Sequence, residues 1–179
     1  QVMPRGRPKK ITKNEIAGLP VSGSWQLFPV SLLMLVSKSK NPYFNLAAEE
    51  YLLRIRKKNY QDIYLLFYEN PTAIILGKSL QIEQEIYTAK KTPPVLRRPS
   101  GGGSVVHFPG CLIYSILASL QQFPQLFPIR DSYREILSVV AAAAAKKVSL
   151  TMQGVSDLSM VQTGIWRKVS GSSQVRKQN

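Results

Sequence analysis

Three consecutive glycines, Gly101-Gly102-Gly103, stand between Leu96-Arg97-Arg98-Pro99-Ser100 and Ser104-Val105-Val106-His107. No other segment restricts the fold as strongly. Glycine costs about 1 kcal/mol per residue in a helix relative to alanine, and Pro99 adds a break just before the run. The segment must be a loop, and the β-prone residues on both sides predict strands at Val95–Arg97 and Ser104–His107. Glycine also reaches φ > 0 and lets another group approach the backbone, and successive N–H groups in such a turn form a nest for an anion. Arg97 and Arg98 add guanidinium donors suited to phosphate or carboxylate. Taken alone, the glycines fit a flexible hairpin loop equally well.

Two familiar phosphate motifs are excluded. A dinucleotide fingerprint needs a small residue where Val106 stands and a helix after the loop. Gly77-Lys78-Ser79 resembles the end of a P-loop, but Thr72 occupies the place of its first glycine.

The chain has 179 residues, 44% of them hydrophobic, enough for one core-forming domain. No apolar stretch reaches the roughly 18 residues of a membrane-spanning helix, so no membrane partner is expected. A single cysteine, Cys111, excludes an internal disulfide framework and fits a reducing compartment. Gln1 is not a natural start, which suggests a fragment or a processed product. The net charge is +14, and residues 1–13 hold five basic residues and no acid, leaving an excess of nine elsewhere. A basic surface favours anionic partners: nucleotide, nucleic acid or an acidic protein.

Residues 1–24 read as a basic flexible arm, and residues 25–179 as the folded domain, with order beginning near Trp25. Within the arm, Pro4-Arg5-Gly6-Arg7-Pro8-Lys9-Lys10 resembles an AT-hook, though a bare tail is the preferred reading over DNA binding. Acids are scarce in the arm, so a cleaved organelle-targeting segment also fits. Leu32–Val36 predicts a first, buried strand. A helix is expected over Pro42–Lys57, with Phe44, Ala47, Ala48, Tyr51, Leu52 and Ile55 on one apolar face and Arg54, Arg56, Lys57 and Lys58 at its basic end. Ile63–Tyr68 and Ala73–Leu76, separated by Glu69-Asn70-Pro71-Thr72, predict a hairpin. Leu112–Leu117 predicts a buried strand. Ser132 and Glu135 form a capping-box pattern that would open a helix running through the alanines 141–145. Leu158–Val161 and Trp166–Ser170, joined through Gly164, predict a last hairpin. This mixture favours an α+β fold with flanking helices around a mixed, largely antiparallel sheet.

The run Arg97-Arg98-Pro99-Ser100-Gly101-Gly102-Gly103-Ser104-Val105-Val106-His107 resembles the signature loop of lipoate–protein ligases, in the biotin/lipoate ligase superfamily. Three further segments agree in order. Asn41-Pro42-Tyr43-Phe44-Asn45-Leu46-Ala47-Ala48-Glu49-Glu50 is similar to the family's first helix. Ala73-Ile74-Ile75-Leu76-Gly77-Lys78 is similar to its strand ending in Gly-Arg/Lys. Gly154-Val155-Ser156-Asp157-Leu158 and Arg167-Lys168-Val169-Ser170-Gly171-Ser172 are similar to its Asp-Leu and Lys-Ile/Val-Ser-Gly elements. The resemblance covers residues 30–179. It implies a catalytic domain of the class II aminoacyl-tRNA synthetase/biotin ligase type.

The resemblance further implies ATP-dependent activation of lipoate as lipoyl-AMP, then transfer to a lysine of a lipoyl domain. The acceptors would be 2-oxoacid dehydrogenase E2 subunits or the glycine-cleavage H protein. Carried over by position, Arg98, Gly103, Ser104, Val105, Val106 and Lys168 would contact the nucleotide. Gly77, Gly101, Gly102, His107 and Lys168 would contact the lipoyl group, and Lys168 would be the catalytic cation. Arg97 and Asp157 would be supporting residues, with Asp157 either orienting Lys168 or holding the Mg²⁺ that a triphosphate needs. Leu76, Val106 and Tyr114 would line the acyl pocket. The implied compartment is the cytoplasm, or the mitochondrion in a eukaryote.

The match departs after the loop. His107-Phe108-Pro109-Gly110-Cys111-Leu112-Ile113 is closer to octanoyltransferases, the sister family, which move octanoyl from acyl carrier protein through a cysteine. Cys111 falls in an apolar strand pattern, where packing is the simpler role. The chain stops at Asn179 where the family continues, so a domain truncated at its C-terminus is expected. The remaining alternative is a non-catalytic or DNA-binding protein that uses the basic arm.

Overall fold

A computed structural model describes residues 31–55, 62–87 and 92–177. The arm, Trp25 and Arg56 to Lys58 of the expected first helix lie outside the described residues. The chain forms two units, each described by itself: residues 31–118 with 174–177, and residues 119–173.

The first unit holds two three-stranded sheets. In one, β1 (Leu32–Val36) pairs in parallel with β2 (Ile63–Tyr68), which pairs antiparallel with β6 (Ile113–Leu117). The parallel pair is joined by α1 (Pro42–Ile55), the crossover that parallel strands require. In the other, β3 (Ala73–Leu76) is central, parallel to β4 (Val95–Arg97) and antiparallel to β5 (Val105–His107). Four-residue α2 (Ile82–Glu85) lies between β3 and β4. Leu46, Ala73, Ile75 and Leu96 form the buried apolar cluster between α1 and this second sheet.

Both strands expected as a hairpin around Glu69–Thr72 occur with the expected bounds, but they do not pair with each other. The turn does not close on itself because Asn70 is turned inward, 1% exposed, and bonded to Asn45 and His107. The first strand is only half-buried, with Met34 and Val36 exposed.

Asn41 caps α1, its Oδ1 accepting from the N–H groups of Tyr43 (2.9 Å) and Phe44 (3.3 Å), and Pro42 takes the first turn. The face this helix buries is not the apolar stripe. Pro42, Asn45 and Leu46 are buried, whereas Phe44 and Tyr51 are 48% and 63% exposed, and Ile55 is exposed too. Polar bonds set the rotation: Asn45 reaches Asn70, and Glu49, one turn on, reaches Ser115 of β6.

In the second unit a 3₁₀ turn (Pro124–Leu126) precedes α3 (Ile129–Ala144), and β7 (Thr151–Gln153), β8 (Asp157–Gln162) and β9 (Ile165–Gly171) form an antiparallel sheet. The helix starts three residues before the expected capping box. The Ser132 N–H already donates to the Pro128 carbonyl (3.0 Å), so Ser132 lies inside the helix, and its hydroxyl donates to the Ile129 carbonyl (2.8 Å) instead. The last hairpin forms as expected, turning through Thr163 (φ 51°) and Gly164 (φ 75°), a pair of left-handed residues that suits a two-residue connection. Six strand pairings, four of them antiparallel, make the α+β fold mixed and largely antiparallel, divided among three sheets.

Candidate functional site

The glycine loop is built by two arginines that turn in different directions. Arg97 Nη1 donates to the carbonyls of Gly77 (2.9 Å), Lys78 (3.1 Å) and Leu80 (2.6 Å), clamping the turn after β3. Arg98 works on the loop itself. Its Nε donates to Ser100 Oγ (3.1 Å), Nη1 to the Ile75 carbonyl (3.3 Å), and Nη2 to the carbonyls of Gly101 (2.7 Å) and Gly103 (2.8 Å). A trans peptide points its N–H opposite to its carbonyl. With the Gly101 and Gly103 carbonyls held on Arg98, the N–H groups of Gly102 and Ser104 face away from it, and no described residue accepts from them.

The glycines differ in what requires them. Gly102 adopts φ 91°, a conformation that side chains disfavour. Gly77 lies under the loop: a Cβ there would sit 2.0 Å from the Gly102 carbonyl oxygen. Gly101 and Gly103 are different. A Cβ on either would meet nothing within 4 Å, so nothing in the described chain requires glycine at those two positions. The open space lies beside bare N–H groups, the arrangement an incoming anion needs. Ser104 donates to Glu85 of α2, and Val105 and Val106 are exposed along β5.

His107 ends β5, opposite Ala73. Its Nδ1 lies 3.0 Å from Asn70 Nδ2, and burial, together with the Arg98 charge, lowers its pKa below the ordinary histidine value. Glu49 of α1, within reach of the Arg98 charge, is a carboxylate that the motifs alone did not single out. Burial raises the Glu49 pKa, while hydrogen bonds from Ser115 and Tyr68 and the charge of Arg98 act in the opposite direction. The Tyr68 phenol is pushed up in turn by burial and by Glu49. Asn45 and Glu49, polar and one turn apart beside the apolar Leu46 and Ala48, were the available signal.

The expected pocket residues differ in exposure. Leu76 is core, Val106 is half-exposed, and the Tyr114 hydroxyl is buried without a partner among the described residues. A cavity of about 370 Å³ in this unit is lined by Tyr43, Leu46, Ala47, Glu50, Leu96 and Arg97, among others. Cys111 lies just before β6 rather than within it. It closes the Pro109-Gly110 turn, its N–H donating to the Phe108 carbonyl (3.0 Å).

The second unit carries Lys168 and Asp157. Lys168 Nζ is 2.7 Å from Asp157 Oδ2, and Ser156 Oγ donates to Asp157 Oδ1 (3.2 Å). A Cβ on Gly171 would stand 3.3 Å from Lys168 Nζ, so this glycine leaves room for the ion pair. Both carboxylate oxygens of Asp157 are thus engaged, Oδ2 by Lys168 and Oδ1 by Ser156.

An α+β domain with an arginine-braced glycine nest, and a bulged hairpin presenting a lysine held by an aspartate, is the class of protein defined so far. Residues 41–179 match the family model of the lipoyl protein ligase A/B catalytic domain, and the chain belongs to that family. A Saccharomyces cerevisiae (strain RM11-1a) protein named "Putative lipoate-protein ligase A" is 38% identical over 100 residues, which is 52% of this chain and 24% of that protein. The chain thus spans about a quarter of the length of that curated relative. Solved structures share the fold. The bipartite lipoate protein ligase of Thermoplasma acidophilum, studied with its E2 lipoyl domain, has a TM-score of 0.65 at 24% identity, over 82% of this chain and 56% of that one. P. falciparum LipL1 in complex with lipoate has a TM-score of 0.56 at 24% identity, over 83% and 45%. A lipoate-protein ligase A bound with ATP has a TM-score of 0.56 at 21% identity, over 82% and 61%.

Proposed function

We propose that this chain is the catalytic part of an ATP-dependent lipoate–protein ligase. The observation that carries the reading is the open space at Gly101 and Gly103 beside the unengaged N–H groups of Gly102 and Ser104, in a chain of this family. That is a place for phosphate oxygens, braced from behind by Arg98.

In this reading the backbone from Gly103 to Val106 takes the nucleotide phosphates. Arg98 acts by holding the carbonyls of Gly101 and Gly103 so that the neighbouring N–H groups stay aimed. Lys168 supplies the cation for the acyl carboxylate and the α-phosphate, positioned by Asp157. The lipoate carboxylate attacks the α-phosphorus, and pyrophosphate leaves with the electron pair of the broken P–O bond. The acceptor lysine amine then attacks the acyl carbonyl and AMP leaves. Negative charge grows on oxygen in both steps, so fixed donors and cations accelerate both. Mg²⁺ would enter with the triphosphate and offset its charge, while Asp157 keeps Lys168 in place. Gly77, Gly101, Gly102 and His107 are assigned to the lipoyl side.

Lipoyl domains of E2 subunits and the H protein are the proposed acceptors. The archaeal relative studied with its E2 lipoyl domain supports the first. The basic excess of this chain suits acidic acceptor surfaces. The cytoplasm, or the mitochondrion of a eukaryote, is the proposed compartment. The test incubates the protein with lipoate, ATP, Mg²⁺ and an apo lipoyl domain. Pyrophosphate release with lipoylation of the acceptor lysine is expected. Transfer from octanoyl-acyl carrier protein without ATP would replace this reading with the transferase one, and neither activity would refute both.

A further inference from the structure

A chain of buried amides runs from β1 to His107. Asn45 and Asn70 are 0% and 1% exposed, so their polar atoms must be satisfied within the protein. Asn45 Nδ2 lies 3.0 Å from the Ser39 carbonyl and 2.8 Å from Asn70 Oδ1. Ser37 Oγ lies 2.7 Å from Asn45 Oδ1, and Asn70 Nδ2 lies 3.0 Å from His107 Nδ1.

The direction of the amide bonds follows from the Ser39 carbonyl. A carbonyl only accepts, so the Asn45 atom facing Ser39 must be the amide nitrogen. That nitrogen spends its second hydrogen on Asn70, whose facing atom must therefore be Oδ1. The other terminal atom of Asn70 is then the nitrogen, a donor, and it faces His107 Nδ1. The opposite end agrees. Ser37 Oγ accepts from the Ser39 N–H (3.3 Å), and its own hydrogen can go to Asn45 Oδ1, as that orientation of the amide requires.

We propose that this relay, from the Ser39 carbonyl through Asn45 and Asn70, holds His107 as the neutral imidazole with its proton on Nε2. His107 is thereby a fixed hydrogen-bond donor on the strand that leaves the glycine loop. Protonating Nδ1 would set two N–H donors against each other inside the protein. The Arg98 charge, the charged group acting on the ring, opposes the imidazolium as well. Among the described residues Nε2 has no protein partner, so its N–H is available to an acceptor oxygen such as a carboxylate or carbonyl, and unsuited to a cation. Asn45 and Asn70 are positioning residues acting through His107. The tautomer is a property of this chain's own bonds and stands independently of the ligase reading.

The chain contains one histidine, so ¹⁵N-labelled protein gives a single imidazole spectrum to read. In the wild-type protein at neutral pH, Nδ1 is expected as an unprotonated, pyridine-type nitrogen and Nε2 as the protonated one. A proton on Nδ1, or a charged ring at neutral pH, overturns the proposal without need of any variant. Asn70→Asp replaces the facing donor with an acceptor carrying negative charge. The Nδ1 nitrogen should then become protonated and the titration midpoint should rise by about 1 to 3 units. An unchanged tautomer and midpoint in folded Asn70→Asp protein also overturns it, whereas a merely structural asparagine would shift neither.

Discussion

Lys168 Nζ and Asp157 Oδ2 meet at 2.7 Å because β9 contains one residue more than its partner strand. Leu158 pairs with Ser170, but Ser159 pairs with Lys168, leaving Val169 as the extra residue of a bulge. In a regular strand Lys168 and Gly171 would point to opposite faces. The bulge brings Lys168 onto the face shared by Ser159 and Asp157, beside the space that Gly171 leaves open. The ion pair is half-exposed, so its worth is in aiming the ammonium rather than in stability.

Lys168→Ala is expected to leave the fold intact and to lower acyl-adenylate formation by about 100- to 1,000-fold, the usual loss for one transition-state charge partner. Pyrophosphate release measured alongside circular dichroism checks both halves. Unchanged turnover would remove Lys168 from the mechanism.

Gly77, under the loop, and Gly103, within it, should respond differently to substitution. Gly77→Ala drives a methyl into the Gly102 carbonyl and should destabilise the first unit by about 1–3 kcal/mol. Gly103→Ala meets no atom and should change stability by less than about 0.5 kcal/mol while weakening ATP binding. Urea unfolding and ATP titration on the two variants make the comparison. Equal ATP affinity in Gly103→Ala and wild type would argue against phosphate at the loop.

Arg98→Lys keeps the charge but loses the fork that spans the Ile75, Gly101 and Gly103 carbonyls. A stability loss of about 1–2 kcal/mol is expected, with faster amide hydrogen exchange confined to residues near the glycine loop. Exchange that stays at the wild-type rate there would show that the loop holds without the guanidinium.

Glu49 gives a pH signature. Its pKa is raised in the folded state, mainly by burial, so the native protein binds this proton more tightly than the unfolded chain does. That contribution to stability is fully present below the ordinary glutamate pKa and is lost as pH rises through the folded value. Glu49→Gln should flatten the decline on this limb, read as urea midpoints across a pH series. Parallel curves for variant and wild type would mean that Glu49 does not titrate abnormally.

Local chemistry was legible in the chain. β1, β2, β3 and β4 occur with the bounds that apolar β-prone runs predict, and the Gly164 hairpin forms where its turn residues stand. Glycine frees the backbone and disfavours helix, and proline breaks it, wherever they are placed, so the loop at 101–103 could be located without any partner. The family resemblance also needed only the order of the motifs, and the family model covers residues 41–179.

What the tertiary structure decided was every pairing whose partner is distant. A strand's hydrogen-bonding edges carry no address, so β2 and β3 looked like a hairpin until Asn70 was seen bonded to Asn45 and His107. The apolar stripe of α1 pointed to the wrong face because two polar side chains, buried Asn45 and part-buried Glu49, outweigh it once Asn70 and Ser115 are in place. An unsatisfied buried polar group costs about 1–3 kcal/mol, comparable with burying a large apolar side chain, so polar bonds can set the rotation of a short helix. The facing of Lys168 depends on a one-residue bulge and the tautomer of His107 on two amides, and neither is expressed by the residues' own neighbours in sequence.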